Sequence, residues 1–218
     1  EFFSVVGQSE AEAAIGQARY GLGQYARARE LLDRALSLER QDPRHDPNEM
    51  LGNLSTLGWI DGWSGNFDQA RRRFEEGLRV AEQAAPVPIR HQVALHAGIV
   101  WLCFRTGNLE EAQRHVDATA RLVEKGIAAD DPLRADHLFM EALVLRERDE
   151  HEAAIRNLER CLAIRQQSFG AEHTSVAWAM ESLGWNELGL GRIERARQHF
   201  RRALEIDEKL LGPLHQWV

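Results

Sequence analysis

Apolar residues recur three and four positions apart along most of the chain, which is the spacing of one face of an α-helix. Around the first turn the apolar positions are Ile15, Leu22, Tyr25, Leu32 and Leu36. The alternation of apolar and polar residues that marks a half-buried strand is absent from the sequence. The pattern therefore predicts an all-α protein.

A short turn motif interrupts this pattern every 42 residues. Its first position holds, in chain order, Gly23, Gly65, Gly107, Asp149 and Gly191. Glycine suits the left-handed backbone conformation that closes a helix, and aspartate is one of the few other residues that tolerate it. The motif predicts five helix-turn-helix units within a single domain spanning 1–218, at about 9–46, 47–87, 88–130, 131–171 and 172–212.

Two further columns of the repeat predict how each hairpin packs. Nine residues after the turn position stand apolar residues, namely Leu32, Phe74, Val116, Leu158 and Phe200. Seven residues before it, four of the five residues are small, in the series Gly16, Gly58, Val100, Ala142 and Gly184. A small residue lets a second helix approach closely, so we expect the two helices of each unit to pack against each other.

The order small residue, turn glycine, aromatic or aliphatic residue, Ala, Phe or Leu, Ala resembles the tetratricopeptide repeat over nearly the whole chain. The 42-residue period is similar to the kinesin light chain type, whose repeat junction resembles the segments 161–173 and 203–215. The resemblance implies a right-handed superhelical solenoid of five repeats, whose first helices line a concave groove. The chain departs from the family where a tyrosine is usual, since that column holds Arg19, Asp61, Cys103, Leu145 and Glu187.

The end of the sequence looks like the start of another repeat. Gly212 and His215 match Gly170 and His173 one period later. We therefore expect a sixth first helix to begin there and the chain to be part of a longer protein. An apolar face on the last repeat is then a candidate surface for self-association.

Composition narrows the classes of partner. The chain has 27 basic and 34 acidic residues, a net charge of −7, which disfavours direct binding to nucleic acid or to an anionic membrane. It has two cysteines, too few for a disulfide framework. It has no run of about 18 apolar residues, and its opening residues lack the basic start and long apolar stretch of a signal peptide. We expect a cytoplasmic protein, and its Ala- and Arg-rich sequence suggests a bacterial origin.

The sequence carries no motif of known catalytic chemistry. The nine histidines include no pair at the His-x3-His spacing of a helical zinc site. The glycines stand singly at turns and form neither a phosphate-binding loop nor a nucleophile elbow. We expect no metal, no cofactor and no enzymatic activity.

An aromatic column is the best candidate for a binding face. Trp59, Trp101 and Trp185 share the position after the small residue, and the resemblance implies that this column faces the groove. Three or four residues further on, the same helical face carries Tyr20, Trp63, Phe104, Arg105 and Arg146. The resemblance adds Phe139 and Trp178, which fall in other columns that the family uses for ligands. The competing interpretation is that these rings pack between helices as core.

The resulting hypothesis is a protein-protein interaction scaffold that binds a peptide segment of a partner in the aromatic-lined groove. Arg105 and Arg146 would orient acidic groups of that peptide, and exposed rings would act as anchors. The alternative is a domain of a bacterial transcriptional regulator or kinase that senses a small molecule or a signalling peptide.

Overall fold

The computed structural model describes residues 2–21, 23–41, 45–84, 86–124 and 127–212. These residues form helices and no strand, and the helices in chain order are α1 (Phe2–Gly21), α2 (Tyr25–Glu39), α3 (Pro47–Trp63), α4 (Phe67–Gln83), α5 (Ile89–Thr106), α6 (Leu109–Glu124), α7 (Pro132–Glu147), α8 (His151–Phe169), α9 (Thr174–Gly189) and α10 (Ile193–Leu211). The prediction of an all-α repeat solenoid is confirmed. Leu22 and the segment 213–218, which includes His215 of the expected sixth helix, lie outside the described residues.

All five turns share one backbone geometry. The four turn glycines have φ between 71° and 79°, and Asp149 has φ 59°, so the predicted left-handed position is confirmed in every copy. In each copy, the residue after the turn position donates its N–H over 2.9 Å to the carbonyl five residues earlier. The donors are Gln24, Asn66, Asn108, Glu150 and Arg192. This bond closes the first helix and fixes where the second begins.

The chain divides into two compact units, Glu1–Leu102 and Cys103–Val218, here called unit 1 and unit 2. Unit 1 contains α1 to α4 and most of α5, and unit 2 contains the end of α5 and α6 to α10. In unit 1, Leu32 and Leu36 pack with Leu54 and Leu57 in a buried cluster. In unit 2, Leu158 is fully buried in a similar cluster. Each unit therefore has its own core, built from the apolar columns of the repeat.

The small-residue column allows the helices of a hairpin to approach closely. A Cβ added at Gly58 would lie 2.4 Å from the ring of Phe74, and one added at Gly184 would lie 2.7 Å from the ring of Phe200. Neither ring could stay in place beside an alanine. The predicted packing of first helix against second helix is confirmed at these two positions.

The column that departs from the family holds buried acids in two repeats. Asp61 is 3% exposed and forms ion pairs with Arg29 and Arg73. Glu187 is 4% exposed and lies 3.4 Å from Arg192 and 3.7 Å from Arg195. Each acid thus pairs with arginines, which replaces the packing of the tyrosine with an electrostatic contact.

Within the described part of the chain, no helix is long and apolar enough to cross a membrane.

Candidate ligand-binding faces on the first helices

Four of the predicted site residues in unit 1 belong to a single run of aromatic contacts, here called the unit 1 aromatic cluster. The ring of Tyr20 stacks on that of Trp63 with centroids 5.7 Å apart and planes 7° apart. The ring of Trp59 lies 5.7 Å from that of Trp63 and 5.6 Å from that of Trp101. All four side chains are half-buried. The cluster links α1, α3 and α5 through ring contacts.

The unit 1 aromatic cluster is continuous with the core. Trp59 makes an edge contact at 5.7 Å with Phe74, which is fully buried. A Cβ at Gly62 would lie 2.7 Å from the ring of Trp101, so this glycine makes room for the tryptophan. Burial, aided by the nearby Tyr25, raises the pKa of the Tyr20 phenol. These contacts agree with the interpretation of the rings as core.

Sequence reasoning missed two members of this cluster. Tyr25 lies 5.8 Å from Tyr20 and 5.6 Å from Trp63, and Phe67 lies 6.2 Å from Trp101. Both residues stand two positions after a turn glycine and begin a second helix. That shared column was the signal that could have identified them.

In unit 2, an arginine takes the place of an aromatic neighbour. The guanidinium of Arg146 on α7 lies over the ring of Phe104 on α5, 4.3 Å from its centroid. The Arg146 side chain is 18% exposed. Burial lowers the pKa of its guanidinium, while Glu147 and Glu181 oppose that shift. The structure thus brings two predicted residues together as a cation–π pair with acids nearby.

The tryptophans of α9 are more open to solvent than the unit 1 rings. Trp185 is 47% exposed, and Trp178 is 36% exposed. The ring of Trp185 meets Phe200 edge-on at 5.1 Å, and its Nε1 donates to Glu181 Oε1 over 3.2 Å. Glu181 also interacts electrostatically with Arg146. We therefore group four residues as the unit 2 face, namely Phe104, Arg146, Glu181 and Trp185.

The remaining predicted residues have different environments. Arg105 is exposed near the end of α5. Phe139 is half-buried and packs against two core clusters. The guanidinium of Arg165 lies over its ring, 4.8 Å from the ring centroid. Arg165 is 4% exposed and pairs with Asp136 at 3.0 Å. Phe139 therefore contributes largely to the core of unit 2.

An apolar surface lies on α9 and α10. Leu188, Ile193 and Leu204 are 39%, 53% and 42% exposed, and with Phe200 they line an open cavity of about 430 Å³. This surface belongs to the last predicted repeat, where the sequence predicts a surface for self-association. Self-association itself stays a prediction.

A second kind of cluster lies where α2 ends and α3 begins. One carboxylate oxygen each of Glu39 and Glu49 and one ring nitrogen of His45 lie within 4.8 Å of one another. Burial raises the pKa of Glu39 to about 7, although a hydrogen bond from Asn53 opposes the shift. Burial also raises the pKa of Glu49, with His45 opposing it. The spacing of histidines did not predict this cluster, because two of its donors are glutamates on separate helices.

Comparisons with known proteins agree with the repeat. A family model described as tetratricopeptide repeat matches residues 94–167 and 140–209, and a second model with that description matches residues 13–42. No curated protein matches the sequence.

Several solved structures share the fold. BtubC (BKLC) from P. vanneervenii has a TM-score of 0.67 and 17% identity, covering 97% of this chain and 84% of that one. A thermophilic TPR protein of Thermus thermophilus has a TM-score of 0.66 and 19% identity, covering 93% and 94%. A putative kinesin light chain with nearly identical TPR-like repeats from Podosopora anserina has a TM-score of 0.60 and 17% identity, covering 92% and 95%.

Proposed function

Because the chain belongs to the tetratricopeptide repeat family, we propose that it is a protein-interaction scaffold that binds a peptide segment of a partner on the unit 2 face. Repeats of this kind present helix faces to a ligand, and their function depends on the side chains on those faces. The net charge of −7 also favours a protein over a nucleic acid as partner.

The exposure of Trp185 is the observation that carries this proposal. Nearly half of its surface is open, although a tryptophan ring gains free energy when it is buried. The edge contact with Phe200 and the hydrogen bond to Glu181 hold the ring in one orientation. An oriented, half-exposed tryptophan is typical of an anchor residue in a protein interface.

The charges of the unit 2 face indicate the kind of peptide. The guanidinium of Arg146 lies over the ring of Phe104, so its charge is already positioned when a carboxylate arrives. Glu181 and Glu147 bring negative charge to the same region. We infer a peptide with an apolar or aromatic side chain for the Trp185 ring, flanked by an acidic and a basic residue.

A displayed library of random peptides tests this proposal. We expect selection on the whole chain to enrich sequences with an apolar residue between charges of both signs. The selected peptide should bind Trp185→Ala about 30-fold more weakly, the loss expected for a hot-spot residue. The matched control is Leu210→Ala, which removes another exposed apolar side chain on α10 and should leave the affinity unchanged.

Two outcomes would contradict the proposal. One is that no peptide is enriched over selection on an unrelated helical protein. The other is that the selected peptide binds Trp185→Ala and the wild-type chain equally well. The small-molecule alternative is not favoured, because family membership supports a protein partner.

A further inference from the structure

Two buried polar atoms lie at the junction of α2 and α3 without a hydrogen-bond partner among the residues that the structure describes. They are Glu39 Oε2 and His45 Nε2. The side chain of Glu39 is 0% exposed and that of His45 is 8% exposed. A buried polar atom left unpaired loses its hydration without a compensating hydrogen bond, so such a pair calls for an explanation.

The two side chains do not satisfy each other. His45 Nε2 lies 3.8 Å from Glu39 Oε1, which is beyond hydrogen-bond distance. Arg40, the adjacent cation, forms its ion pair with Glu76 at 2.6 Å. Glu49 supplies a second carboxylate to the same place. Two carboxylates and an imidazole therefore surround one point.

We propose that Glu39, His45 and Glu49 bind a divalent transition-metal ion of the Zn²⁺ class. In a tetrahedral zinc site, with bonds of about 2 Å, neighbouring ligand atoms stand about 3.3 Å apart. The three donors lie within 4.8 Å of one another, so binding one ion would draw them together by at most about 1.5 Å.

The donor set selects the kind of ion. Imidazole nitrogen with carboxylate oxygen suits zinc and the neighbouring transition metals, whereas calcium and magnesium prefer oxygen ligands alone. The N-terminal end of α3 carries a partial positive charge that disfavours a cation. The negative charge of the two carboxylates offsets this repulsion.

The surrounding residues hold the ligands as an outer shell would. Asn53 Nδ2 donates to Glu39 Oε1 over 2.7 Å. Asn53 Oδ1 accepts from Gln17 Nε2 at 3.2 Å, and Gln17 Oε1 accepts from Thr56 Oγ1 at 3.0 Å. This network orients Glu39 so that Oε2 is the oxygen left for an ion.

The start of α3 positions the other two ligands. Asp46 caps the helix, and its carboxylate accepts from the backbone N–H of Asn48 over 2.9 Å. Pro47 follows in the first turn and restricts the backbone there. His45 and Glu49 flank this capped turn, so the backbone keeps the two side chains near each other before any ion binds.

Zinc titration of the whole chain, after treatment with a chelator, tests the proposal. We expect one saturable Zn²⁺ per chain and a rise in the thermal unfolding midpoint with Zn²⁺. Glu39→Gln, His45→Gln and Glu49→Gln should each weaken binding by about tenfold or more. His199→Gln, on α10, is the matched control and should bind as the wild type does. Circular dichroism in chelator checks that each variant folds. If the variant of the buried Glu39 does not fold, the variant of the half-buried Glu49 tests the site in its place.

The proposal is overturned if the chain shows no saturable binding of Zn²⁺. It is equally overturned if His45→Gln and Glu49→Gln bind Zn²⁺ as tightly as His199→Gln, because other histidines would then hold the metal. Neither result bears on peptide binding at the unit 2 face.

Discussion

The aromatic columns of the two units have the same origin in the repeat but different surroundings. In unit 1, Trp59 contacts both Trp63 and Trp101, and all three rings are half-buried. In unit 2, Trp185 contacts Phe200 and Glu181 and stays 47% exposed. The same column therefore forms ring-to-ring contacts in unit 1, whereas in unit 2 it presents a largely exposed ring at Trp185.

The largest effect on this comparison should come from Trp59→Ala. This ring contacts Trp63, Trp101 and the buried Phe74, so its loss removes three ring contacts. We expect the free energy of unfolding to fall by about 3 kcal/mol, measured by urea denaturation followed by circular dichroism. A loss below about 1 kcal/mol would show that the unit 1 aromatic cluster is not structural.

A pair of glycine variants on α3 tests the same cluster without removing a ring. Gly62→Ala would place a Cβ 2.7 Å from Trp101 and should destabilise the chain by about 2 kcal/mol. Gly52→Ala is the matched control, because a Cβ there meets nothing within 4 Å. It should stabilise the helix by about 0.5 to 1 kcal/mol. Equal effects of the two variants on the denaturation midpoint would argue against close packing at Trp101.

Trp185→Ala should have a smaller effect on stability. The ring is nearly half exposed, and the substitution removes one aromatic contact and one hydrogen bond. We expect a cost of about 1 kcal/mol in the same denaturation experiment, together with the weaker peptide binding described above. A cost equal to that of Trp59→Ala would place Trp185 in the core and remove the distinction between the units.

The smallest effect should be a dependence of the folding stability on pH, which comes from Asp207 on α10. Burial, and then repulsion by Glu181, raise the pKa of Asp207 from 3.8 to about 6. Between these values the folded chain keeps a proton that the unfolded chain has released. The stability from this group is therefore complete below about pH 4 and is lost as the pH rises through about 6.

Asp207→Asn should remove this part of the pH dependence. We expect the unfolding temperature of the wild type, relative to the variant, to fall as the pH rises from about 4 to about 6. The control is Glu208→Gln, an exposed neighbour on the same helix. Parallel curves for wild type and Asp207→Asn would show that Asp207 does not titrate in this range.

The repeat made much of the fold predictable. Turn conformation depends on residue type at one position, so Gly23 and even Asp149 could be assigned from the sequence. Packing within a hairpin depends on residues in fixed columns, so the contact of Phe74 with Gly58 could be anticipated as well.

The candidate sites were harder to predict, because exposure depends on neighbours in space. Trp59 and Trp185 occupy the same column, yet Trp59 contacts three rings, whereas Trp185 contacts the ring of Phe200 and stays 47% exposed. The stacking of Arg146 on Phe104 depends on side-chain conformations that the sequence does not reveal. The Glu39 cluster joins a helix end, a linker and a helix start, so no regular spacing marks it.

The most direct test of the distinction between the units is ¹⁹F NMR of the chain labelled with 5-fluorotryptophan. The Trp185 resonance is assigned by its absence in Trp185→Phe, and the Trp59 and Trp63 resonances by the matching variants. We predict that the Trp185 resonance responds to exchange of H₂O for D₂O and moves when the selected peptide binds, while those of Trp59 and Trp63 respond weakly to both. A Trp185 resonance that ignores peptide and solvent, with Trp59 or Trp63 responding instead, would contradict the account.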